Sequence, residues 1–497
     1  MKKSLFLIPL MGLMASCSQS EELDEVVNED LQQSRGWFSN EFIVNWNQTG
    51  QTLDGFGVAE ADCASDVFAH PQREEIMNHL FSKDGLNVSI LRGEIFPHYS
   101  MNPEDHSFDT DANIDVDPNF KQREVAYQLE LKRKGQFWVS QQAKKYGVSK
   151  LFFSTWSAPA WMKNGNIDNG EFPASHGYVA PEHYQDYADY LADFSEAYKN
   201  AGLDVYAISP VNEPNYEANW NSCKWSEQQL ADFIADYMGP TFENRGVSSN
   251  IIFGELAQWS TMVLGAFNVV SAKKYVENVL DANPNVAKYA DIAAGHGYNL
   301  PHVPYEFPIV EYDKAVQKGM KVWLTEISTA LDKFDPSMNN ALHWAEVVQK
   351  YLMNAHVNAF CWWTGARITD TNESMIRLTA NGYDIPKRFY TYGNYTKFIK
   401  EGSQQIDVKR QMGVPASLLL TSFKKGNEYV IVAVNKANRA TTTTMKFNGA
   451  KANGSLKSYT TDANNNWKES TVSMKRGGQY SLTIPAKSVV TFVGNVR

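Results

Sequence analysis

The sequence predicts an α/β chain, a (β/α)8 TIM barrel with an attached C-terminal β-sandwich. Three observations predict it. Between residues 53 and 402, eight β-type apolar runs alternate with helix-period segments, the pattern of a parallel sheet with right-handed crossovers. None of these runs leads into a convincing GxGxxG loop, the usual mark of a doubly wound open sheet. From about residue 403 the helical period disappears, and short strand-like runs separated by turn residues take over. The 497 residues leave room for one large barrel and a smaller partner.

Taken in order, residues 1–16 (MKKSLFLIPLMGLMAS) set Lys2 and Lys3 before an apolar run too short to span a bilayer, the plan of a signal peptide. Ala15 and Ser16 precede Cys17, and the segment resembles a bacterial lipoprotein lipobox. That resemblance implies cleavage before Cys17, lipidation of Cys17, and anchoring at the outer membrane or cell surface, with a periplasm-facing attachment as the variant. Residues 17–37 are acidic and polar and read as a flexible tether. Residues 38–52 contain the strand-like run Glu41–Trp46, placed to join the sandwich from the N-terminal side.

The eight candidate barrel strands are Leu53–Val58, Asn87–Gly93, Lys150–Thr155, Asp204–Ser209, Ile251–Leu256, Ile292–Tyr298, Lys321–Ile327 and Ala359–Trp363. Between the third and fourth, Tyr184, Tyr187, Leu191, Phe194 and Tyr198 recur at helical spacing, and Gly202 ends the helix. Ser226 and Gln229 have capping-box spacing ahead of an apolar face of Leu230, Phe233, Ile234 and Tyr237. Residues 403–497 supply the sandwich runs SLLLTSF, EYVIVAVNK, TTTTMKFNG, GSLKSYTT, YSLTIP and SVVTFVG.

Composition narrows the function. Hydrophobic residues make up 43% and charged residues 21%, a folded balance, and the net charge of −10 argues against general binding to nucleic-acid phosphates. The 13 Trp, 24 Tyr and 26 Phe fit either a filled core or a cleft that stacks sugar rings. With Cys17 lipidated, Cys63, Cys223 and Cys361 remain, far apart and without a CxxC, so no disulfide framework is expected, although one bridge is open. No HExxH or close His/Cys cluster occurs, and neither a metal nor a cofactor is expected. A monomer is expected.

Reactive groups of such a barrel stand at the C-terminal ends of its strands. Strand four runs into ISPVNEPN, with Asn212 and Glu213 at its mouth, and strand seven, KVWLTEIS, ends in Glu326. Either carboxylate alone reads as a solvated or ion-paired strand end. Together on one face they are the pair that glycosidic cleavage needs, one to protonate the leaving oxygen and one to attack the anomeric carbon. An esterase or peptidase reading lacks a GxSxG.

With those residues in view, the chain resembles glycoside hydrolase family 30. The matching pieces are GFGVAEADCAS, LRGEIFP, TWSAPAWMKNGN, ISPVNEPN, AAGHGY, WLTEIS and KRFYTYGNYTKFIKEG, and the resemblance covers about residues 40 to 497. The resemblance implies a retaining hydrolase with Glu213 as acid/base and Glu326 as nucleophile. It implies that Asn212 binds the sugar 2-hydroxyl, that Tyr298 holds Glu326 and that Arg92 orients Glu326, while Trp156 and Trp363 are either sugar platforms or packing aromatics at the barrel mouth. His296 either lines the cleft or is a satisfied barrel histidine. Glu60, Glu94 and Glu255 either bind substrate or pair with Arg92. The substrate implied is a plant-type polysaccharide, an endo-cleaved xylan or glucuronoxylan. β-1,6-Glucan or β-1,6-galactan, or a non-catalytic surface glycan-binding lipoprotein, are the alternatives. Arg367, Arg377 and Arg388 on the eighth loop are available to grip a uronic carboxylate. Thr364, Gly365 and Ala366 separate Arg367 from Trp363, a departure from the glucuronoxylan-specific pattern.

Overall fold

A computed structural model describes residues 39–97, 124–164, 176–218, 220–260, 262–264, 267–269, 271–298, 308–330 and 332–497. Residues 1–37, read from sequence as a signal peptide and a tether, lie with Cys17 outside the described residues.

Eight parallel strands close into a barrel: strand 1 Gly55–Ala59, 2 Ile90–Glu94, 3 Lys150–Ser154, 4 Val205–Ser209, 5 Asn250–Gly254, 6 Ala290–His296, 7 Lys321–Glu326 and 8 Ala359–Trp362. Each pairs in parallel with its successor, and strand 8 returns to strand 1. All eight sequence-predicted strands are present, most with ends shifted by up to three residues.

Side chains fill the barrel. Ile90, Phe152, Ile252, Ile292, Trp323 and Cys361 form its inner core. Trp323 stacks parallel on Tyr206 at 5.7 Å and meets Phe152 edge-on at 5.5 Å. Its indole N–H donates to Asp54 (2.9 Å), which also pairs with Lys321, closing the lower end. The interior is thus a packed core, and chemistry is confined to the opposite mouth.

The predicted helix after strand 3 runs Tyr184–Asn200, with Gly202 past its end at φ +81, the left-handed position that favours glycine. The Ser226–Gln229 capping box forms in both directions. The helix it starts widens over Phe233–Met238, where the Gly239 N–H reaches back five residues to the Ile234 carbonyl. The sequence period did not foresee this wider turn, which keeps Leu230, Phe233 and Ile234 buried just ahead of Pro240.

Nine strands build one hydrogen-bonded sheet that curls over its own core. In spatial order they are Lys468–Val472, Ala452–Thr461, Ser488–Val496, Glu428–Asn435, Leu418–Lys425, Gln404–Arg410, Glu41–Thr52, Thr441–Asn448 and Tyr480–Ile484. Side chains from opposite ends of this order, such as Leu456 and Tyr480, share that core. Gln404–Arg410 and Lys468–Val472 were not anticipated, because their alternation is mostly polar. The N-terminal strand Glu41–Thr52 lies inside the sheet, antiparallel to Gln404–Arg410 and parallel to Thr441–Asn448.

The helix Lys387–Thr396 joins the two layers. Its Tyr392 hydroxyl donates to the Gly57 and Phe360 carbonyls of the barrel, while Asn394 bonds Tyr459 and Thr491 of the sandwich.

Candidate active site

Seven of the eight strands deliver a polar or aromatic side chain to the mouth. Arg92 on strand 2 is fully buried and is the hub. Its guanidinium donates to Glu326, to the Asn212 amide oxygen (2.8 Å) and to Glu255 (3.4 Å). The rings of Trp156 and Trp363 flank it, with centroids 4.7 and 5.6 Å away. A desolvated guanidinium with these partners is held as a fixed positive charge.

Glu326, at the end of strand 7, accepts from Arg92 and from the Tyr298 hydroxyl (2.7 Å). Burial raises its pKa, partly offset by His296 and Arg92, while Glu213 adds to the rise. Glu213 is half-buried just after strand 4. Its Oε1 lies 3.1 Å from His296 Nδ1. Ligating atoms of Glu213, His296 and Glu326 all lie within 4.8 Å of one another. Such a set accepts a cation in principle, but Arg92 already supplies positive charge to Glu326. One oxygen of Glu213 thus comes within 4.8 Å of one of Glu326, the close approach of a retaining carboxylate pair.

His296 is buried among carboxylates. Burial opposes its charge, but the Glu326 carboxylate, the hydrogen bond to Glu213 and the Glu255 carboxylate 3.8 Å away raise its pKa to about 9. Glu255, just past strand 5, is the mirror case. Burial opposes its ionisation, yet Arg92 and His296, with the Ser154 hydroxyl at 2.6 Å, bring its pKa down to about 2.

Two of the three carboxylate residues take left-handed backbone, Glu213 at φ +48 and Glu255 at φ +50. Such non-glycine conformations cost about 1 kcal/mol each and persist where surrounding bonds fix them. The Glu213 N–H donates to the Glu255 carbonyl (3.0 Å), and the Glu255 N–H donates to the Ala294 carbonyl (2.9 Å). The strained turns therefore brace one another across strands 4, 5 and 6.

The remaining expected residues divide. Trp156 is almost covered and packs on Arg92, offering little sugar-facing surface, whereas Trp363 is only half-buried. Their ring centroids are 5.7 Å apart. Of the three secondary carboxylates, Glu255 is the partner of Arg92. Glu60 instead caps the Ala366 N–H (2.6 Å), and burial holds its pKa well above the usual carboxylate value. The Glu94 backbone is clasped at both ends by Gln136. The sequence does not separate Glu255 from Glu60 and Glu94; only its place one residue beyond a strand end hints at the site. The three described cysteines are buried and unbridged.

The sequence profile of the Glycosyl hydrolase family 30 TIM-barrel domain matches residues 53–365. Glucuronoxylanase XynC of Bacillus subtilis (strain 168) is 27% identical over 467 residues, covering 92% of each chain. Lysosomal acid glucosylceramidase of Mus musculus is 25% identical, covering 72% of this chain and 70% of its own. Among solved structures, the catalytic domain of the xylanase C from Talaromyces cellulolyticus superposes with a TM-score of 0.72 at 24% identity, covering 92% of this chain and all of that one. With a profile match across the barrel and a retaining-type carboxylate pair at its mouth, the chain belongs to glycosyl hydrolase family 30 and is a retaining glycoside hydrolase.

Proposed function

We propose that the chain is an endo-acting xylanase, with Glu326 as nucleophile and Glu213 as acid/base. The observation that carries the catalytic part is the Glu213–Glu326 separation, with Glu326 held on both oxygens by Arg92 and Tyr298. The xylan part is supported by the full-length similarity to a glucuronoxylanase and by fold neighbours that are xylanases.

In the retaining scheme Glu213 begins protonated and Glu326 ionised. A Glu326 oxygen then bonds the anomeric carbon as the glycosidic bond breaks, and the Glu213 proton passes to the departing oxygen. Glu213 next takes a proton from water, the water oxygen bonds the anomeric carbon, and Glu326 is released. Asn212, whose oxygen is occupied by Arg92, offers its NH2 group to a sugar hydroxyl beside the bond.

The test incubates purified protein with unsubstituted xylan, glucuronoxylan, arabinoxylan, β-1,6-glucan and β-1,6-galactan, with Glu326→Gln as control. Xylo-oligosaccharides from wild type and none from the variant are expected. Products from a β-1,6-glycan alone would overturn the xylan assignment. Binding without products on every glycan would make the barrel a binding protein. Glu213→Gln should slow xylan cleavage by about 10²–10⁴ and affect an aryl glycoside with a good leaving group far less. The proposal also anchors the enzyme at the outer membrane or cell surface by a lipid on Cys17, so Cys17→Ala should shift it from the membrane to the soluble fraction.

A further inference from the structure

Among the described residues, five Phe, Tyr or Trp side chains are exposed: Tyr146, Trp161, Tyr178, Tyr216 and Trp220. Four of them sit on two neighbouring loops at the barrel mouth, with exposures of 57% (Trp161), 40% (Tyr178), 49% (Tyr216) and 48% (Trp220). Trp161 and Tyr178 belong to the loop after strand 3, where Lys163–Asn164 pairs with Tyr178–Val179. Tyr216 and Trp220 belong to the loop after strand 4, directly behind Glu213, and the Tyr216 N–H donates to the Glu213 carbonyl (2.9 Å).

The two loops are laced together. The Lys224 N–H donates to the Gly177 carbonyl (2.8 Å), and His176 Nε2 bonds the Ala218 carbonyl (2.9 Å). The buried Lys163 ammonium reaches across to the Ser222 carbonyl (2.8 Å). Each aromatic therefore stands on a braced backbone. Tyr216 and Trp220 lie 6.1 Å apart with their planes tilted by 56°, and Trp161 is met edge-on by His183 at 5.3 Å. Large apolar rings left exposed together in this way mark a binding surface. Flat faces suit the apolar C–H faces of sugar rings, and fixed loops reduce the ordering cost.

We propose that Trp161, Tyr178, Tyr216 and Trp220 form a stacking shelf for the sugar units on the leaving-group side of the cleaved bond, extending the cleft along a β-glycan chain. The side follows from chemistry. The acid donates to the departing oxygen, so the departing chain leaves past Glu213 and over the loop that carries it. The shelf rests on the function proposed above and assigns it the subsites that make cleavage internal to a chain.

The test uses the full chain, xylohexaose labelled at its reducing end, and an aryl xylobioside that places only its aryl group beyond the bond. Trp161→Ala, Tyr178→Ala, Tyr216→Ala and Trp220→Ala should each lower kcat/KM on the hexaose by about three- to tenfold. The cut should move toward the reducing end, and aryl xylobioside hydrolysis, which uses only the first position of the shelf, should fall by less than the hexaose does. Tyr216→Phe and Trp220→Phe should keep the wild-type pattern. An unchanged cut, or a shift toward the non-reducing end, overturns the shelf. Sedimentation is read in parallel: a wild-type dimer that Trp220→Ala dissociates, with cleavage unaltered, would assign the patch to self-association and overturn it as well. If wild type leaves xylan intact, the xylan reading fails separately, and the same shift is read on oligomers of the glycan it does cleave.

Discussion

At the scale of single residues, Glu255 is the structural centre of the site although it stands outside the proposed chemistry. It binds Arg92 and Ser154, faces His296, and lends its carbonyl to Glu213. Glu255→Gln removes a charge from a buried network and should cost about 3 kcal/mol. Because its folded pKa is about 2, below the ordinary 4.5, the carboxylate's contribution is present above about pH 4.5 and fades as pH falls through 2. The Tm gap between wild type and variant, followed by calorimetry, should therefore be widest near neutrality and narrow toward pH 2. His296 has the opposite sign. Its folded pKa of about 9 exceeds the ordinary 6.5, so its charge stabilises fully below pH 6.5, and that contribution is lost as pH rises through 9. His296→Asn should thus show a gap that closes on the alkaline side.

At the scale of elements, the loop after strand 8 carries the three arginines that the sequence offers to a uronic side group. It folds into a small sheet of Ala366–Ile368, Ile376–Thr379 and Gly382–Asp384. All three of its candidate arginines are engaged. Arg367 pairs with Asp62 (3.1 Å) and Glu373 (2.9 Å), Arg377 pairs with Asp370 and Asp384, and the buried Arg388 holds the Ser374 and Asp335 carbonyls. Unsubstituted xylan should therefore be cut within about threefold of glucuronoxylan in kcat/KM, since no guanidinium here awaits a bidentate carboxylate. Strand 5 offers a second expectation. Gly254 has φ +110, and an added Cβ would lie 2.3 Å from the Ala294 carbonyl oxygen. Gly254→Ala should displace the turn that presents Glu255 and lower Tm by about 5 °C or more. The strands themselves were legible from sequence because apolar runs and helical periods are local. The pairing of Arg367 with Asp62 was not, since the two lie 305 residues apart and only closure of the barrel brings them together. The left-handed turns at Glu213 and Glu255 were equally hidden, because nothing in a Glu codes for that backbone.

At the scale of the molecule, barrel and sandwich share buried polar bonds. The Asn394 amide donates to the Tyr459 carbonyl (3.0 Å) and the Thr491 hydroxyl (2.9 Å), and the Thr491 hydroxyl donates back to the Asn394 carbonyl. The Trp467 indole donates to the Tyr390 carbonyl (2.7 Å) on the same helix. Removing residues 403–497 would orphan these groups and strip Glu41–Thr52 of both neighbours, so the barrel alone should be insoluble or molten. In the intact protein, calorimetry should show one transition. Two resolved transitions would mean that the layers unfold independently.

The position of Glu41–Thr52 has a mechanical consequence. A load entering the fold at residue 41 acts along a strand clamped on both edges, with Gln404–Arg410 on one side and Thr441–Asn448 on the other. Drawing that strand out lengthwise must break both ladders together in shear, instead of peeling them one bond at a time. Drag on the barrel, transmitted through a lead-in ahead of residue 41, would thus meet the stiffest direction of the sandwich before it reached strand 1 and the catalytic mouth.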